Sequence, residues 1–596
     1  MRVTFVALGW EQLGVSLLAA IAKEKGHEVN LAFSVSLFHD RYNLSFPPFA
    51  RLFDDTKDVL KKIEDQRPDV LAFSALTGTY QWMLGIAQEA KKIYPHVKVI
   101  FGGVHASAVP ERVIHKPQVD FVCVGEGDVA FPMILNAIEK GGPMGEIIPN
   151  TRYKLPNGQI VRGPQTGFIQ DLDALPGFDK TIWEDYIRVG DVYFTMASRG
   201  CPYRCTFCFN NFFANLPEEK KGKYVRQRSV DHMLNELHIA KKRYKLKIVD
   251  FEDDVFTVDK KWVKSFLDRY KKEIKVPFQC LTHPKYIDED VAKWLADAGC
   301  VHVQMGIQTM DDEYKFQTVK RYEKSKDVEQ AMALMQKYNL KAKVDHMFGL
   351  PGEPLEAQEK ALTLYKKHTP YRIQTFWTNF LPGTEMVQQA KHMGLIEDKD
   401  IERLEEGLNF DFYRSSQRID DPLKHKMFKR YEVLFKLIPI VPPFVRQKMR
   451  IDAFRKMPIP LCEWLTFSID LLAGLLKCNP DHIGYAKHYL LHLYNAARKC
   501  LGLQPLSATR SKGEKNHTAE PPPPTHQENR LKSREVLSVI DLLSAKQNVK
   551  SPKLSTDDLG RFDSFDGAQS HPEQSRRGDI QKEKVNKTVS HAHDLV

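Results

Sequence analysis

Ser198-Arg199-Gly200-Cys201-Pro202-Tyr203-Arg204-Cys205-Thr206-Phe207-Cys208 sets three cysteines at C-x3-C-x2-C spacing, just after an apolar run. Three thiolates this close in sequence suit three irons of a 4Fe–4S cluster, because soft sulfur is the preferred ligand there, and they leave the fourth iron open. A structural zinc site asks for four closed ligands, and no fourth Cys or His lies nearby. A disulfide framework leaves an odd cysteine. It also fits poorly with a chain that runs from Met1 straight into a strand-like stretch without the apolar core of an export signal. The bland alternative is a chance cluster of buried cysteines.

Around the triplet, six β-type runs follow one another at 192–197, 247–252, 278–282, 301–306, 341–348 and 373–380. Amphipathic helical stretches separate them, for instance 230–244, 262–272, 288–298 and 328–338. Six β/α repeats over 191–390 predict an open, partial version of the eightfold barrel. Its functional residues then belong just past the strand ends, on one rim. The cysteine loop follows the first run, Glu252-Asp253-Asp254 ends the second, Gln308-Thr309 the fourth, and Gly349-Leu350-Pro351-Gly352-Glu353 the fifth. Side chains alternate faces along a strand, so at least one of the three adjacent acids points away into solvent.

Residues 1–140 alternate short β-rich runs (3–8, 29–33, 70–73, 97–101, 121–124) with helical patterns (12–25, 54–66, 80–94), which predicts a parallel sheet wrapped by helices on both faces. Ligands of such sheets bind at the carboxyl ends of the strands. Those ends carry small residues: Gly9 and Gly14, Ser74-Ala75-Leu76-Thr77-Gly78, Gly102-Gly103-Val104-His105-Ala106, and Gly125-Glu126-Gly127. Residues 141–190 read as a connector. Asn157-Gly158 between short β runs signals a hairpin, and Asp171-Leu172-Asp173-Ala174-Leu175-Pro176-Gly177 reads as an irregular crossing segment.

The triplet, with Phe207 before its last cysteine, resembles the signature of the radical S-adenosylmethionine (SAM) superfamily. The glycine-lined loops ahead of it look like the cobalamin-binding domain found before many of those enzymes. The resemblance implies an α/β fold: an N-terminal Rossmann-like cobalamin-binding domain, a partial (β/α)6 radical SAM barrel and a helical C-terminal cap. It also implies three cofactors: a 4Fe–4S cluster on Cys201, Cys205 and Cys208, SAM, and cobalamin. SAM on the open iron presents an ammonium group that Glu252, Asp253 or Asp254 would pair with, with Phe207, Gln308, Gly349 and Gly352 around the rest of it. Cobalamin would lie against Gly9, Gly14, Ser74, Leu76, Thr77, Gly102, Gly103, His105, Gly125 and Glu126. One departure stands out. Where cobalt-ligating relatives carry Asp-x-His-x-x-Gly, this chain has Gly9-Trp10-Glu11-Gln12-Leu13-Gly14, so Glu11 replaces the axial histidine.

The activity implied is cleavage of SAM to a 5′-deoxyadenosyl radical, followed by methylation of an unactivated carbon. A non-methylating oxidative cyclase or oxidoreductase acting on a tetrapyrrole or lipid fits the same motifs. So does a non-catalytic cobalamin and Fe–S sensor, which would bind without turnover. An electron donor such as flavodoxin or ferredoxin is implied with the cluster.

The chain has 596 residues, too many for one ordinary domain, with 42% hydrophobic and 27% charged residues and a net charge of +11. That charge is modest for the length and reads as a solvated face, with no nucleic-acid partner. Nine cysteines, three of them clustered, favour a reducing, cytoplasmic setting. Residues 391–505 are helical, with apolar and basic stretches interleaved. They are expected to cap the barrel mouth or, helped by Arg446, Lys448, Arg450, Arg455 and Lys456, to rest at the inner face of a membrane. Either way they favour a hydrophobic small-molecule substrate (lipid, isoprenoid or tetrapyrrole). Residues 506–596, with Pro521-Pro522-Pro523-Pro524 and little apolar content, read as a disordered tail holding at most one short helix over 531–543.

Overall fold

The computed structural model describes residues 1–40, 44–45, 47–142, 147–216, 222–408, 422–477 and 480–509. The tail from 510 onward, with the helix expected at 531–543, lies outside the described residues.

Five parallel strands open the chain: β1 (Arg2–Leu8), β2 (Glu28–Ser34), β3 (Val70–Ser74), β4 (Lys98–Gly102) and β5 (Phe121–Cys123). Alternation decides which way each side chain faces. Val3, Phe5 and Ala7 of β1 join a core with Val15, Ala19 and Phe131, while Val6 joins a second core with Val59 and Tyr80. The helices Leu13–Glu24 and Gly127–Glu139 supply the first face, and Thr56–Gln66 and Tyr80–Ile93 the second.

The expected hairpin forms, but as part of this sheet. β6 (Thr151–Lys154) pairs antiparallel with β5, and β7 (Ile160–Arg162) with β6, giving the order β2-β1-β3-β4-β5-β6-β7. The reason is the short β5 edge, whose unpaired backbone groups and Phe121 ring need cover. Tyr153 stacks on Phe121 with ring centroids 5.9 Å apart.

Six further strands form the second sheet in sequential parallel order: β8 (Tyr193–Thr195), β9 (Val249–Phe251), β10 (Phe278–Thr282), β11 (Cys300–Gln308), β12 (Lys341–Phe348) and β13 (Arg372–Trp377). Helices such as Val230–Arg243, Lys260–Glu273 and Ser325–Lys337 cover its outer side.

Past β13, the helices Glu385–His392 and Asp398–Glu405 pack at the rim with Phe207, Leu350 and Phe380, and the later helices lie elsewhere. Pro422–Leu437 lies on the outer face of the last two strands. Phe435 packs against His346 and Phe348, and Glu432 accepts hydrogen bonds from Thr375 Oγ1 and Trp377 Nε1, both at 3.0 Å. Two buried polar groups on β13 needed partners, and this helix supplies them. Ile459–Leu476 packs on it through Cys462 and Ile469 against Val433. Pro480–Cys500 then returns to the first sheet, where Trp10 meets His488 at 4.8 Å and Phe38 N donates to Tyr489 Oη at 2.7 Å.

Candidate active site

The cysteine loop leaves β8 and is held from beneath. Asp253, just past β9, is fully buried and accepts from Ala197 N at 3.0 Å and from Ser198 Oγ. Burial raises its carboxyl to about 6, against the pull of those donors. Among the three acids expected to meet SAM, Asp253 is therefore the one spent on the loop itself. Glu252 and Asp254 are solvent-accessible, and Asp254 accepts from Asn210 Nδ2 at 2.7 Å. The turn into the triplet needs Gly200: its φ is +87°, and a Cβ there would sit 2.4 Å from Tyr224 O.

Cys201, Cys205 and Cys208 are free thiols, Cys205 buried and the other two half-buried. Burial, followed by repulsion among the sulfurs or from nearby acids, raises Cys201 to about 12 and Cys208 to about 11. Such thiols stay protonated until a metal displaces the proton. Among the described residues no three His, Cys, Asp or Glu side chains are gathered around one shared ion. A 4Fe–4S cluster asks for a different arrangement, one thiolate on each of three irons, and three soft donors on one loop fit it.

Around the rim, Gln308 ends β11 with φ +65°, where a non-glycine residue is strained. Gly349 and Gly352 also lie at positive φ (+73° and +72°). A Cβ on Gly352 would come within 2.9 Å of Met393 Cε. Glu353 beside them is completely buried with neither carboxylate oxygen in a clear hydrogen bond, and burial raises it to about 8. Phe207 packs into a cluster with Val319, Leu350 and Phe380.

The first domain meets the barrel beside this loop. Gly9, Gly14, Ser74, Leu76, Gly102 and Gly125 line its strand ends, and Gly9 and Gly14 have nothing within 4 Å of a built Cβ. That open, small-residue surface fits the approach of a broad planar ligand such as a corrin. Gly103 differs: it lies at φ +86°, and a Cβ there would fall 2.7 Å from Ala75 N, so only glycine lets the two strand ends pack together.

Three residues assigned from sequence to the cobalamin surface have other tasks. His105 is completely buried, 4.2 Å from the Tyr80 ring, with Nδ1 3.2 Å from Thr77 Oγ1, and Thr77 is buried with it. Glu126 pairs with Arg226 at 2.6 and 2.9 Å and lies 3.3 Å from Arg199, while Asp128 also holds Arg199. These pairs tie the first domain to the cysteine loop. Arg226 and Arg228 are both structural: Arg226 holds Glu126, and Arg228 binds Glu236 at 2.6 Å. Glu11 is buried against Lys180 of the crossing segment, a partner no local motif announced.

Sequence reasoning also missed a buried group behind the cysteines. Arg321 Nε donates to Glu323 at 2.8 Å, His283 Nε2 lies 3.2 Å from Glu323, and Tyr203 stacks on His283 at 3.9 Å. An Arg-x-Glu pair on an irregular segment gives no periodic signal, so only the fold brings it to the site. His283 thus serves this group. Cys280 and Cys300 are buried free thiols, and Trp377 and Tyr193 are core residues.

Two family models match: the B12 binding domain over residues 3–135 and the radical SAM superfamily over 196–364. An uncharacterized methyltransferase of Pyrococcus horikoshii is 28% identical over 384 residues, covering 63% of this chain and 78% of that protein. The anaerobic magnesium-protoporphyrin IX monomethyl ester cyclase of Rubrivivax gelatinosus is 23% identical over 63% of this chain and 65% of its own length. The solved structure of OxsB, a cobalamin-dependent SAM radical enzyme with aqua-cobalamin and SAM bound, shares the fold. Its TM-score is 0.58 at 15% identity, over 92% of this chain and 80% of that one. A B12 binding domain followed in one chain by a radical SAM barrel makes this an enzyme of the cobalamin-dependent radical SAM family.

Proposed function

We propose that this enzyme methylates an unactivated carbon of a small-molecule substrate inside the barrel. The observation that carries the reading is the junction: three free thiols on the first barrel loop, ion-paired through Arg199 and Arg226 to the strand ends of the B12 domain. Cys201, Cys205 and Cys208 would hold the cluster, and Gly9, Gly14, Ser74, Leu76, Gly102 and Gly125 would face cobalamin. Bound there, the cluster, SAM and cobalamin supply one-electron chemistry and a methyl carrier. The chain's own residues position and exclude. Asp253 fixes the loop, Asp254 and Glu252 offer carboxylates to a cationic ligand, and Phe207 shields the cysteines from water. A donor of the flavodoxin or ferredoxin class would supply the electron.

The barrel interior narrows the substrate. His346 faces the outer helices, so Asp345 faces inward, where it accepts from Gln304 Nε2 at 3.1 Å. Lys343 donates to Gln279 at 2.9 Å on the same face. A substrate that reaches this floor carries a hydrogen-bonding group as well as apolar surface. The cyclase relative supports a second reading, ring formation or oxidation without methyl transfer. Incubation with methyl-labelled SAM separates the two: label in the product supports methylation, and a product that forms unlabelled rejects it.

Peripheral membrane contact belongs to the same proposal. No described helix is long and apolar enough to cross a membrane. Phe444, Trp464 and Phe467 are nonetheless 70%, 63% and 51% exposed, beside the exposed cations Lys448, Arg450, Arg455 and Lys456. Aromatic rings interleaved with cations complement an anionic lipid surface. Flotation with phosphatidylglycerol vesicles is expected to carry the protein and to be lost in Trp464→Glu with Phe444→Glu. Equal flotation of that variant, or a dimer that hides these residues, rejects the contact.

A further inference from the structure

Several elements behind the cysteine loop brace it. Thr206, between Cys205 and Cys208, donates from N to Val319 O at 3.1 Å and from Oγ1 to Thr318 O at 3.0 Å, and its carbonyl accepts from Met386 N at 2.9 Å. Tyr203, between Cys201 and Cys205, lies nearly flat on His283. His283 leads to Glu323 and Glu323 to Arg321, whose Nη2 donates to Gly306 O at 2.7 Å.

This group is buried. The side chains of Glu323 and Lys315 have no exposure, Arg321 has 7%, and Lys315 Nζ lies 3.8 Å from Glu323. Glu323 faces both cations, Lys315 has a second, half-exposed partner in Asp312 at 3.9 Å, and burial lowers His283 to about 4 and keeps it neutral at pH 7. Arg321 is thus a buried cation tied, through Glu323, His283 and Tyr203, to the stretch between Cys201 and Cys205.

We propose that Arg321 is a positioning residue that sets the reduction potential of the cluster. A fixed positive charge in a dry site favours the state carrying one more electron, and Glu323 partly offsets it. The inference rests on the reading that Cys201, Cys205 and Cys208 hold a 4Fe–4S cluster. It assigns Arg321 no contact with substrate.

The full chain, reconstituted anaerobically with iron and sulfide, tests this by potentiometric titration of the cluster's electron-spin resonance without SAM. Arg321→Met is expected to cut the reduced-to-oxidised ratio at fixed potential about tenfold, a midpoint ~59 mV lower for a one-electron couple. Arg321→Lys is expected to restore most of it. Glu323→Gln removes the offsetting charge and is expected to shift the midpoint the other way, which a merely structural role would not do. An unchanged midpoint in a fully loaded Arg321→Met, or shifts of one sign in Arg321→Met and Glu323→Gln, overturns the inference. Should Arg321→Met fail to load, the sign found for Glu323→Gln decides. Wild-type protein that takes up no cluster rejects the reading of the triplet instead.

Discussion

Two loops occupy the same place in the two sheets, each leaving the first strand of a parallel set, and they are used in opposite ways. After β1, Gly9-Trp10-Glu11 commits its one charged side chain to a buried pair with Lys180, and its ring to the helix Pro480–Cys500. After β8, the loop through Cys201, Cys205 and Cys208 is fixed by its surroundings, through Asp253, Thr206 and Tyr203, while its three thiols stay free. One loop is locked by its own reactive group. The other is locked by its neighbours so that its reactive groups remain available. Topology offers a strand-end position, and the partners supplied by the rest of the chain decide whether chemistry happens there.

The contrast can be broken at either loop. The largest effect is expected for Cys205→Ala: reductive cleavage of SAM should fall below detection and the visible cluster absorbance should collapse, with circular dichroism unchanged. Full SAM cleavage by that variant would end the assignment. Next is Lys180→Met, which leaves Glu11 buried and uncompensated. A loss of about 3–5 kcal/mol is expected in urea unfolding, much of it regained in Glu11→Gln with Lys180→Met. A loss below about 1 kcal/mol would mean that water reaches the pair.

Glu353 is the counter-case, a buried acid with no ion pair among the described residues. Its folded-state value of about 8 lies above the ordinary 4.5, so the folded protein keeps a proton that the unfolded chain has released. Stability is therefore full below about pH 4.5 and declines as pH rises toward 8, by an amount on the order of 2–4 kcal/mol. Melting temperatures from pH 5 to 8 should fall less steeply in Glu353→Gln than in the wild type. Parallel curves would show that the carboxyl is already ionised. Smallest is the pair joining the two regions: a double-mutant cycle on Glu126→Gln and Arg226→Met should give a coupling of about 1–2 kcal/mol. Zero coupling would leave Asp128–Arg199 as the tie.

What could be read in advance followed the periodicity. Both parallel sheets, the sequential barrel order and the triplet at its first loop were legible because apolar period and turn residues are local signals. The partners of charged residues were not. Glu126 sits in a glycine-lined loop like its neighbours, and only the distance folded away between residues 126 and 226 shows that its carboxylate is spent on Arg226. His105 looked like a loop residue, yet the short helix Gly103–Ala108 turns it inward onto Tyr80. Of the C-terminal helices read as a cap, Asp398–Glu405 does join the rim beside Phe207, while the strand face that Pro422–Leu437 covers gave no local signal.

The return of Pro480–Cys500 to the first sheet also has a consequence in time. Phe38 and Tyr489 are 451 residues apart. At ~5–20 residues per second, a ribosome needs roughly 20–90 s to make the second after the first. Through that interval the aromatic side of the first domain, with Trp10 and Phe38, stands without its cover. The domain that is made first is thus among the last to be finished.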